Sequence, residues 1–164
     1  MEISDFWRII AAARSARGND RESRVEALRE RLAGLPPREL QSFQNHYDSL
    51  ITAAYRWDLW GAAYIINGGC SDDGFRYFRD WLISEGEDAY QAALADPESL
   101  AKLRRIALAE NELFGNVAFE LFQEAGEGQL ERKVLTEEAD PAGEPWGDDT
   151  VYDLFPKLAA KYES

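Results

Sequence analysis

Residues 57–84, "WDLWGAAYIINGGCSDDGFRYFRDWLIS", decide how this chain is read, because two apolar runs of helical period flank a glycine pair. Consecutive glycines at 68 and 69 accept positive φ without a Cβ penalty, so "INGG" reads as a helix stop. Ser71, Asp72 and Asp73 follow, and their short polar side chains cap a new helix by accepting its orphan amide protons. That helix runs to Ser84, with Gly86 closing it.

Outward from this segment the same grammar repeats. Ser4 precedes "DFWRIIAAAR", where Phe6, Ile9, Ile10 and Ala13 recur at helical spacing, which predicts a first helix ending near Gly18. Asn19 or Asp20 then caps a second, mostly solvated helix with a narrow stripe of Val25, Leu28 and Leu32, stopped by Gly34 and Pro36. Pro37 suits the first position of a helix, and Leu40, Phe43, Tyr47, Leu50, Ile51 and Ala54 give it one apolar face. This is the expected central helix.

Beyond Gly86 the pattern predicts a short helix to Asp96, a break at Pro97, and a long apolar helix from about Glu98 to Gln123. Residues 126–147 mix glycines, prolines and acids and read as an irregular surface segment. "DDTVYDLFPKLAAKY" is a last amphipathic helix that Pro156 bends or splits. The expectation is therefore a single all-α domain of six to eight helices with an acidic, partly irregular C-terminal segment. Its parts are a helical unit over 1–125, the Gly/Pro-rich loop over 126–147, and a C-terminal helix over 148–164 packed on the same domain.

Charge narrows the partners. Thirty-one acids against 18 bases leave −13, which repels a phosphate backbone and argues against nucleic acid. Residues 1–35 hold seven arginines against six acids, whereas 36–130 hold seven bases against sixteen acids, so a basic protein partner would meet an acidic body. A single cysteine forms no internal disulfide, the acidic start does not resemble a signal peptide, and no run reaches membrane-spanning length. A cytoplasmic protein, off the membrane, is expected.

Three charges fall on apolar faces, where an unpaired ion is costly. Asp58 follows Ala54 in phase with Leu40, Tyr47 and Ile51, so either the central helix stops near Trp57 and Asp58 caps a new one, or Asp58 stays on the face with a partner. Arg79 lies between Phe75 and Ile83, where its five donors require carboxylates or carbonyls. Glu110 is in line with Ile106, Leu113, Val117 and Leu121. The sharp expectation is that Arg79, Asp58 and Glu110 meet, with Asn67, Asp72 and Asp73 lining the same depression and the edges of Trp57 and Trp60 beside it. A structural salt bridge fixing three helices is the plainer alternative.

Other motifs carry less. "NGGC" lacks the spacing and lysine of a nucleotide loop, and Cys70 and the lone His46 form no recognisable nucleophile pair or zinc set. No cofactor or metal is expected. The function these residues suggest is an acidic interaction or small-ligand-binding module around "NGGCSDD". The alternative is a carboxylate- or metal-assisted hydrolase using the same cluster.

"FWRIIAAAR", "YRWDLWGAAYIINGGCSDDGFRYFRDWLISEG" (Tyr55 to Gly86) and "ENELFGNVAFELF" (Glu110 to Phe122) together resemble the bacterial family DUF4240 over roughly residues 1–125. "PAGEPW" looks like that family's variable end. The resemblance implies a cytoplasmic, mainly helical domain and supplies no activity, cofactor or catalytic residue.

Overall fold

The computed structural model describes residues 1–15, 20–126, 128–132 and 139–162. Nine α-helical segments and two 3-10 turns occupy them, with no β-strand among the described residues, so the fold is all-α. The expected positions of Gly18 and Asn19, as helix end and alternative cap, lie outside the described residues.

α1 (Ile3–Ser15) starts one residue before Ser4, which therefore lies inside it; the Asp5 carboxylate instead accepts from the Glu2 amide at 3.1 Å. α2 (Arg21–Leu32) has Asp20 as its cap, accepting from Ser23 N–H at 2.8 Å. Its buried residues are Arg24, Ala27, Leu28 and Leu32, with Val25 half-buried against the same core. Arg24 is buried because Glu85, itself enclosed, accepts from it at 3.1 Å and the Ser84 hydroxyl lies at 3.0 Å. Arg104 also donates to Glu85, at 3.3 Å.

α3 (Pro37–Ala53) is the central helix, burying Leu40, Phe43, Tyr47 and Ile51 as the periodicity requires. It stops at Ala53, and the chain turns through 54–56 into α4 (Trp57–Asn67). Gly68 ends α4 at φ +69°, and Gly69 follows at +119°, conformations that favour glycine. Ser71 then caps α5 (Asp72–Ser84) by accepting from Gly74 N–H at 3.1 Å. Asp72 and Asp73 occupy its first turn, where their charge complements the helix dipole. α6 (Glu87–Ala95) and a 3-10 turn (Pro97–Lys102) come next.

The expected long helix from Glu98 to Gln123 does not form. Residues 103–111 are irregular, a second 3-10 turn covers Glu112–Asn116, and only α7 (Val117–Glu124) is α-helical. Tertiary hydrogen bonds replace the helical ones. Asn67 brackets Ala109, accepting from its N–H at 2.8 Å and donating to its carbonyl at 3.3 Å. Asn111 N–H reaches the Tyr77 carbonyl at 3.0 Å, and Ile106 N–H reaches the Tyr162 hydroxyl at 3.2 Å. Glu110 is therefore on a loop, and Leu113 is exposed instead of lining a stripe.

Pro156 splits the last helix into α8 (Val151–Leu154) and α9 (Pro156–Tyr162). Both pack on α4, where Gly61 lets Phe155, Trp146 and Val151 approach its backbone. Residues 141–143 run beside the corner before α4: Trp57 N–H donates to the Ala142 carbonyl at 2.9 Å, and Ala142 N–H to the Tyr55 carbonyl at 3.1 Å.

Candidate functional site

The α3–α4 corner, the first two turns of α5 and residues 139–141 enclose a cleft of about 680 Å³. One wall is aromatic because the corner and α5 bring planar side chains into register. Trp57 stacks on Trp60 with centroids 5.3 Å apart, and Trp60 stacks on Phe75 at 5.1 Å, both pairs within 9° of parallel. The Trp60 indole N–H is held by the Cys70 carbonyl at 2.9 Å, which ties the wall to the glycine loop. Trp146 stands edge-on to both tryptophans and donates to the Trp57 carbonyl at 2.6 Å.

Arg79 lies on the floor, only 4% exposed. Its guanidinium carbon sits 4.7 Å from the Tyr55 ring centroid and 4.8 Å from that of Phe75, so two aromatic faces stabilise it. Nη1 donates to the Ile51 carbonyl at 2.9 Å, one of the last unsatisfied carbonyls of α3, where the helix dipole is negative. Nε makes a longer bond of 3.4 Å to the Phe75 carbonyl. Among the described residues, Nη2 has no hydrogen-bond partner and no carboxylate lies at ion-pair distance from Arg79. Burial, then repulsion from Arg76, pulls its pKa down to about 10, which leaves it charged at neutral pH.

The expected meeting of Arg79 with Asp58 and Glu110 therefore does not occur. Asp58 lies in the first turn of α4, whose N-cap position is Arg56 and not Asp58 as the first alternative had it, and it pairs with Arg56, at 2.6 Å to Nη2 and 3.1 Å to Nε, in a separate depression beside Gly143 and Phe155. Since α3 ends before position 58, the phase that placed this carboxylate on the central face is lost. Glu110 lines a third depression with Glu112 and Leu113, and its Oε1 approaches Gly74. Asn67 is engaged by Ala109. Of the residues singled out, the cleft collects Asp72, Asp73, Arg79, Trp57 and Trp60, while Tyr77 lines both this cleft and the one holding Glu110.

Sequence reasoning did not single out Tyr55, Arg76 or Asp140 as site residues, although all three line the cleft. Tyr55 and Arg76 flank recognised positions, whereas Asp140 carried no local signal because it arrives from the distant tail. Burial raises the Tyr55 hydroxyl's pKa; Asp72 and Asp140 push the same way and Arg79 opposes them. Cys70 is pushed up to about 12, by burial first and then by Glu110, so it stays a thiol. Among the described residues no group of three or more His, Cys, Asp or Glu side chains is placed to hold a metal ion.

Helical packing with an arginine-floored, tryptophan-walled cleft defines a small all-α domain with a preformed pocket. The chain belongs to the family described as "Protein of unknown function (DUF4240)", which matches residues 1–124. No curated protein and no solved structure matches it. No helix among the described residues is long and apolar enough to cross a membrane.

Proposed function

We propose that this protein is a small-ligand-binding module whose ligand occupies the cleft over Arg79. The observation that carries the reading is a buried guanidinium, lining an open cleft, whose terminal Nη2 has no hydrogen-bond partner and which has no ion-pair carboxylate among the described residues. A buried charge ordinarily has a counter-charge. Here aromatic faces and the Ile51 and Phe75 carbonyls compensate it in part, leaving its remaining donor available to a bound group. The stacked tryptophans supply apolar contact area, the usual lining of small-molecule sites. The acidic exterior favours ligands or partners with cationic groups over nucleic acid, and one free cysteine suits a reducing cytoplasm.

The test is a broad metabolite panel read by melting temperature and tryptophan fluorescence. A cleft ligand raises the first by mass action and changes the second through Trp57 and Trp60. Arg79→Met, of similar volume, is expected to remove both responses while the variant remains folded by circular dichroism. A panel that moves neither signal in the wild-type protein overturns the proposal.

A further inference from the structure

Within the cleft the charges are ordered by depth. Arg79 is on the floor, 4% exposed, and Arg76 is close by with 27% of its side chain exposed. Asp72, Asp73 and Asp140 are exposed and line the mouth. Positive charge is thus innermost and negative charge outermost, with Trp57, Trp60 and Tyr55 between.

Among the described residues the basic floor is neutralised only in part. Arg76 pairs with Asp80 at 4.0 Å, an acid that also accepts from the Tyr47 hydroxyl at 2.6 Å, while Arg79 has no carboxylate at ion-pair distance. Tyr55 lines the same cleft as Asp72 and Asp140 and its ring centroid lies 4.7 Å from the Arg79 guanidinium carbon, so both signs of charge face one short space. A simple anion would have to pass three carboxylates to reach the floor, and a simple cation would meet the charges of Arg76 and Arg79 there. Neither fits alone.

Resting on the ligand-binding reading above, we infer that the cleft takes a small zwitterion with an apolar body, its carboxylate inward on Arg79 and Arg76 and its cationic nitrogen outward among Asp72, Asp73 and Asp140. The carboxylate accepts from Arg79 Nη2, a charge-assisted bond in a poorly solvated setting where such bonds are strong. The apolar part lies along the stacked indoles. The rim carboxylates select against ligands that lack the cation, which is specificity through repulsion as well as attraction.

Three probes share one ring and chain length: L-phenylalanine carries both charges, 3-phenylpropanoate only the carboxylate, and phenethylamine only the ammonium. Titration calorimetry is expected to show L-phenylalanine binding at least about tenfold more tightly than either analogue. Arg79→Met should reduce L-phenylalanine to the affinity of phenethylamine. Asp72→Asn combined with Asp73→Asn, both exposed and so tolerable to the fold, should reduce it to that of 3-phenylpropanoate.

Equal or tighter binding of either single-charge probe overturns the zwitterion inference and leaves the cleft reading intact. Absence of binding by all three up to about 10 mM also overturns it. In that case the metabolite panel alone decides whether the cleft binds anything.

Discussion

Asp80 shows how far one side chain's surroundings can move its chemistry. Arg76 and Asp80 share a face of α5 at i,i+4, which in the sequence looks like a solvated pair, yet Asp80 is 3% exposed. The other side of that face is covered by Tyr47, whose hydroxyl donates to Asp80, and by Gly115; a Cβ at 115 would stand 2.5 Å from Oδ1. Burial lifts the Asp80 pKa from 3.8 to about 7, against the lowering effects of Arg76, Tyr47, Arg79 and Arg132. Because the folded value exceeds the unfolded one, the proton favours the fold: the contribution is complete below about pH 4 and is lost as pH rises through about 7. Urea denaturation should therefore show about 2 kcal/mol less stability at pH 8 than at pH 5 from this group. Asp80→Asn keeps an oxygen for Tyr47 and should flatten that slope; an unchanged slope would assign the pH dependence to other groups.

At the level of elements, α4 is the surface on which the C-terminal segment is mounted, and Gly61 sets the distance. A Cβ at 61 would lie 2.9 Å from Phe155 Cε2, 3.0 Å from Trp146 Nε1 and 3.1 Å from Val151 Cγ2. Gly61→Ala improves helix propensity by about 1 kcal/mol, but overpacking against these three side chains, two of them buried, costs about 1–3 kcal/mol. We expect a lower melting temperature and faster proteolysis within residues 139–162; a variant more stable than the parent would show that the tail shifts freely. The sequence disclosed most of the helices themselves. Gly68 and Gly69, the Ser71 cap, Pro37 at N1 and the split at Pro156 each act through local backbone chemistry, which a sequence displays directly. The false helix over 103–111 failed for the opposite reason: Ile106, Glu110 and Leu113 keep a helical period, while Asn67, Tyr77 and Tyr162, remote in the chain, capture the backbone groups that would have closed its turns.

The site was legible to the same limited depth. Arg79 was recognisable as a guanidinium on an inward face, and Trp57, Trp60, Asp72 and Asp73 as its neighbours, because all belong to one continuous segment. Asp58 and Glu110 were misplaced because their positions depend on where α3 ends and on whether 103–111 is helical, both decided by contacts across the molecule.

On the scale of the whole molecule, the family match ends at residue 124, but the core does not. Val151 and Leu158 are fully enclosed and Phe155 is 7% exposed, all three belonging to the segment beyond that limit. Each enclosed side chain of this size contributes roughly 1.5–3 kcal/mol, so their sum rivals the net stability of a typical domain, about 5–15 kcal/mol. A chain cut after residue 124 should bind hydrophobic dye, aggregate at moderate concentration and lose the cleft wall at 139–141. A monodisperse, dye-negative product with the full chain's melting temperature would contradict this. The segment outside the family match thus supplies both part of the core and part of the site.

The perpendicular setting of Trp146 against the parallel Trp57–Trp60 pair has an optical consequence. Indole transitions this close couple as excitons, and the sign and size of the resulting circular-dichroism couplet depend on the angle between them. The protein therefore carries an unlabelled gauge of tail attachment, in which release of the third chromophore alters the couplet.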